Sequence, residues 1–171
     1  MTLYFHDTTI DKLAQIQENG LVPQTNYRLP AFLRLNKMLS DEVRTSEFLQ
    51  DALFTPRTYL WGSTHKDITS DVRLQIALPK PFPIERDYEQ FTFFYLSMAS
   101  SGNEQNMATF NKMLSDYGTA LRVDGKSIEK DMRTIKAVVD GLSESQWMEY
   151  NAFRTSELIE SQRITVLRNK L

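Results

Sequence analysis

Three short segments carry the side chains best suited to chemistry. In the first, LYFHDTTIDKL, His6 stands two residues before Thr8 where an extended stretch gives way to a helical pattern. A strand end leaves backbone groups unpaired, and an imidazole there can donate to or accept from a vicinal diol, or simply cap the helix start. In the second, RTYLWGSTHKDI, Tyr59 and Trp61 recur on a two-residue period ahead of Ser63 and Thr64. An aromatic face can stack on a cationic ring for about 0.5–2 kcal/mol; two aromatics on one strand face can equally well pack a core. In the third, QWMEYNAFRTSELIESQRITVL, Glu149 shares a two-residue period with Trp147, Asn151 and Phe153. That period sets a carboxylate among aromatics at a strand start, a rigid position from which it can stabilise developing positive charge. Glu157 and Glu144 are rival carboxylates.

The elements that must position these groups follow from periodicity. Residues 2–6 read as a strand, and Ile10, Leu13 and Ile16 line one helical face between Thr9 as N-cap and Gly20 as the stop. After a polar loop bracketed by Pro23 and Pro30, two helices are expected up to about Pro56. RTYLW is a strand, and the alternation of Val72, Leu74, Ile76 and Leu78 predicts another, ended by Pro79. The aromatic run 90–97 predicts a strand, residues 103–117 and about 127–140 predict helices, the latter capped by Ser127, and 147–155 and 163–169 predict two closing strands. The expected fold is α+β, a compact single domain spanning 1–171 with mixed or antiparallel sheets and inserted helices.

Composition narrows the chemistry. The 171 residues include no cysteine and two histidines, His6 and His65, so no zinc or other structural metal centre is expected. GxGxxG, GxxxxGK[ST], HExxH and GxSxG are all missing, which removes support for dinucleotide-fold dehydrogenase, P-loop and thiol or serine-elbow enzymes. A net charge of −2 supplies no global field to gather nucleic acid or acidic lipid. No stretch approaches the roughly 20 apolar residues of a membrane span, so no membrane association and a cytoplasmic setting are expected.

Taken in order, the three segments resemble the ADP-ribosyltransferase superfamily. The opening strand with His6 and Thr8, followed by Leu13, Ile16, Gly20 and Leu21, is similar to that family's first motif; the Tyr59 strand is similar to its middle motif, and the Glu149 region to its last. The resemblance covers about the first 22, a middle 20 and the last 25 residues. It implies an ADP-ribosyltransferase-like fold and NAD as substrate, with no metal. By the same resemblance His6 contacts a ribose hydroxyl, backbone amides at Asp7 and Thr8 hold the nicotinamide carboxamide, and Tyr59 stacks on nicotinamide. Ser63 and Thr64 supply hydroxyl contacts, and Glu149 stabilises the oxocarbenium-like state. Asp7 stands where many relatives have glycine. The implied reaction is mono-ADP-ribosyl transfer to a macromolecular acceptor, protein or nucleic acid, with protein favoured over nucleic acid by the net charge, and with release of nicotinamide. Two alternatives share the fold: an inert interaction module or effector, and an RNA 2′-phosphotransferase relative drawing on Arg28, Arg34, Arg44 and Arg57.

Overall fold

The computed structural model describes every residue except 26–28, 36, 63–69, 148–150 and 170–171. The alternating run forms β3 (Val72–Leu78), flanked by β1 (Thr2–Thr8) and β6 (Ile164–Asn169). Beyond β1 lie β2 (Thr58–Trp61), β5 (Ala152–Thr155) and the short β4 (Glu85–Arg86). Among the described residues the strand order is β4-β5-β2-β1-β3-β6, and each pairing is antiparallel. The α+β class is as expected, and among the described residues the strands form one antiparallel sheet.

One face of this sheet carries the core. Tyr4, Leu60, Val72, Leu74, Ile76 and Leu78 pack with Leu13 and Ile16 of α1 (Ile10–Asn19) and with Leu21 and Ile159. Full burial of each such aliphatic side chain contributes roughly 1.5–3 kcal/mol, which fixes the register, since a slip of one residue would turn the apolar set outward. Ile10, expected on the inner face of α1, is 36% exposed; the stripe begins at Leu13. Thr9 occupies the N-cap position without a side-chain capping bond, and Gly20 ends the helix at φ +79°, its N–H bonded to Ile16 O.

The sheet and α1 belong to one of two compact units, formed by residues 1–24, 56–87 and 150–171; the other comprises 25–55 and 88–149. The second unit is helical: α2 (Leu29–Leu35), α3 (Lys37–Thr45), α4 (Glu47–Phe54), α5 (Glu89–Ala99), α6 (Glu104–Asp116), α7 (Ile128–Gly141) and α8 (Glu144–Trp147). The stretch in which two helices were expected, up to about Pro56, is covered by α2, α3 and α4; residue 36, between α2 and α3, lies outside the described residues. Ser127 caps α7 by accepting from Lys130 N, and Glu42 of α3 accepts from the N–H groups of Ile128 and Glu129 at 3.1 and 2.8 Å. The fully buried Asp131 carboxylate takes hydrogen bonds from Tyr95 Oη (2.6 Å) and from the N–H groups of Gly125 and Asp124.

One expected strand is helical, and another begins later than expected. The aromatic run at 90–97 lies in α5, where, after the buried N-cap residue Tyr88, Phe91, Thr92, Tyr95 and Leu96 are buried at helical spacing and Phe94 is exposed. Aromatic strand preference loses to that three-and-four period. Trp147 ends α8 instead of opening a strand, and β5 begins only at Ala152. A reciprocal cap causes this: Ser143 Oγ accepts from Gln146 N, while Gln146 Oε1 accepts from Ser143 N.

Candidate functional site

The sheet brings the described site residues onto neighbouring strands but divides them between its faces. Phe5 pairs with Trp61, Tyr4 with Ile76, His6 with Leu74 and Thr8 with Val72. Strand alternation therefore sets His6 and Thr8 on the core-lined face and Asp7, Tyr59 and Trp61 on the other. The expected grouping of His6 with Tyr59 around one ring is not what these strands present: the two residues meet through the backbone, His6 Nδ1 lying 2.8 Å from Tyr59 O.

That contact fixes the imidazole's chemistry. A carbonyl only accepts, so Nδ1 carries the hydrogen and Nε2 is an acceptor in the neutral ring. Burial lowers the His6 pKa below its ordinary 6.5 and outweighs the opposing effects of the Tyr59 hydrogen bond and the Asp7 carboxylate. The folded protein thus holds this proton less tightly than the unfolded chain does. The His6 contribution to stability is complete above pH 6.5 and is lost as pH falls through 6.5 toward the lowered folded value. Melting temperatures between pH 7.5 and 5.5 are expected to fall more steeply for the wild type than for His6→Gln; equal slopes would show that His6 does not titrate across folding.

Asp7 is engaged within the sheet. It faces Arg73 across the β1–β3 ladder, and the guanidinium grips both carboxylate oxygens at 2.7 and 2.8 Å, with Arg73 3% exposed. This bidentate pair raises the Arg73 pKa and explains why an acidic residue occupies position 7. The pair escaped the sequence reading, although an arginine on the polar phase of an otherwise apolar strand is the mark of a buried ion pair.

Glu149, Ser63 and Thr64 lie outside the described residues. Their flanks do not: Gly62 N donates to Asn151 O at 2.9 Å, so the residue before Ser63 is bonded to the residue two after Glu149. Asn151 is left-handed at φ +48°, and a Cβ on Gly62 would collide with the Asn151 side chain and come within 2.9 Å of Phe153. Of the rival carboxylates, Glu157 is exposed just beyond β5, its N–H donating to Thr155 Oγ1, and Glu144 is exposed in the first turn of α8. Of the arginines weighed for phosphate, Arg34 and Arg44 are exposed on α2 and α3, Arg28 lies outside the described residues, and Arg57 is buried beside Glu85.

Among the described residues no group of three or more histidine, aspartate or glutamate side chains is arranged to hold a metal ion, and no helix is long and apolar enough to cross a membrane. No family model matches the chain, and neither curated proteins nor solved structures give a significant match.

Proposed function

We propose that the protein is an NAD-dependent mono-ADP-ribosyltransferase, releasing nicotinamide and passing ADP-ribose to a macromolecular acceptor. One observation supports this reading above others. The three segments that carry the resemblance, far apart in sequence, become consecutive neighbours in the sheet, β1 beside β2 and β2 beside β5. The first and last are joined again where Leu21 and Ile159 exchange backbone hydrogen bonds of 2.9 and 3.1 Å. In this reading His6 Nε2 accepts from a ribose hydroxyl and Glu149 stabilises the positive charge that builds on the sugar as the glycosidic bond breaks; the stacking that the resemblance assigns to Tyr59, which faces the other side of the sheet, is decided by NAD titration. Ser63 and Thr64 supply hydroxyl contacts, and the Thr8 and Asp7 contribution is made by backbone amides, since the Asp7 carboxylate belongs to Arg73.

A second reading, an inert interaction module on the same scaffold, is favoured by the opposite facing of His6 and Tyr59. NAD titration of the wild type and Tyr59→Ala, with melting temperature as a folding control, separates the two. Loss of a stacked ring worth about 0.5–2 kcal/mol weakens binding by about 2- to 30-fold. Unchanged affinity in a folded variant rejects the stacking role, and a wild type without NAD affinity selects the interaction module.

A further inference from the structure

Within the first unit a cleft opens where β1 begins. Thr2 pairs there with Leu78 at the end of β3, and the chain runs on through Pro79, Lys80, Pro81 and Phe82 toward β4. Tyr4 and Leu78, both part of the core, join Phe82 and Ile84 as the apolar walls of this cleft, which has a volume of about 440 Å³. Small-ligand sites usually measure about 300–1,000 Å³. The walls are held from both sides: the β1–β3 ladder fixes Tyr4 and Leu78, and the Thr155 hydroxyl donates to Pro83 O, one residue before Ile84. Lys80 is the one charged residue among the described lining residues; it is exposed and makes no hydrogen bond or ion pair among the described residues. Its backbone has a narrow range, because Pro79 fixes its own φ and Pro81 keeps the residue before it out of the helical region.

We propose that this cleft binds a free medium-chain carboxylate, its alkyl chain against Tyr4, Phe82 and Ile84 and its head group paired with Lys80. Charge selects the head group. The described lining residues offer one ammonium and no guanidinium fork, which suits a singly charged oxyanion better than a phosphate dianion, whose oxygens call for several directed donors. The walls select the body: Phe82 and Ile84 are only partly buried by the fold, and a hydrocarbon chain laid on them removes apolar surface from water on both sides of the contact. The long lysine stem lets the ammonium follow the head group to the solvent edge while the chain stays on the wall. This assignment does not depend on NAD cleavage.

Calorimetric titration of the full chain with octanoate, hexanoate and 1-octanol, in the absence of NAD, tests the assignment. The wild type is expected to bind octanoate about tenfold more tightly than hexanoate, the effect of two further methylenes leaving water. Lys80→Met keeps the length of the stem and removes the charge at an exposed position, so the protein should stay folded, with melting temperature as the check. It should weaken octanoate binding by about two- to fivefold, the scale of a solvent-accessible ion pair, and leave 1-octanol binding no weaker. Lys80→Arg retains the charge and should retain octanoate. No octanoate binding by the wild type, or equal affinities for hexanoate and octanoate, overturns the proposal. So does a folded Lys80→Met protein that binds octanoate as tightly as the wild type, or one that loses octanoate and 1-octanol by the same factor.

Discussion

Gly20→Ala is expected to destabilise the protein by about 3 kcal/mol or more. Gly20 has φ +79° and ψ −170°, a region essentially reserved for glycine and costing other residues about 1–3 kcal/mol. Space adds to conformation: a Cβ there would overlap the Ile159 carbonyl oxygen and lie 3.1 Å from both Ile159 C and Ser161 N. These are backbone atoms that cannot swing aside, and they belong to the stretch that bonds with Leu21. The substitution therefore strains α1's exit and pushes the opening and closing segments apart together. For a chain of this size the loss corresponds to roughly 6–12 °C in melting temperature. Gly118→Ala is the control, since φ is +78° but a methyl group there would meet no neighbouring atom within 4 Å; about 1 kcal/mol is expected at that position. Similar losses for both variants would show that the contact at Ile159 is not tight.

Glu149→Gln is expected to reduce turnover by about 10²–10³, the scale of losing one preorganised electrostatic contact in the transition state. The change keeps shape and hydrogen-bonding reach while removing charge, so folding and most NAD affinity should persist. The segment that follows is held firmly: Asn151 accepts from Gly62 N, and Ala152, Phe153, Arg154 and Thr155 pair with β2. Glu157 and Glu144 are exposed side chains, and their glutamine variants should each change turnover by less than about tenfold. Loss of activity in Glu157→Gln with Glu149→Gln unaffected would move the catalytic role to Glu157.

How far the sequence foretold this arrangement depends on how local each signal is. The alternation in β3 and the Ser127-capped stripe of α7 are written within single segments, and both elements appear close to where their patterns put them. The 90–97 run carried two competing signals, aromatic content and a three-and-four period, and burial of Tyr95 and Leu96 decides for the helix. Ser143 and Gln146 had the spacing of a capping box, a legible sign that Trp147 is not in the closing strand. The candidate site was legible as three segments that must meet, and β1, β2 and β5 do adjoin. Which face each side chain takes was not legible, because it follows from pairings such as Phe5 with Trp61 that no local pattern specifies. The Asp7–Arg73 and Glu85–Arg154 pairs were hidden for the same reason: their partners are 66 and 69 residues apart.

The central claim is that this chain cleaves NAD at the nicotinamide–ribose bond, and nicotinamide release from NAD by the purified protein tests it most directly. The account predicts release well above the solvent background for the wild type and at least about a hundredfold slower release for Glu149→Gln at an unchanged melting temperature. A folded wild type that releases no nicotinamide, alone or with a cell lysate supplying acceptors, would contradict it.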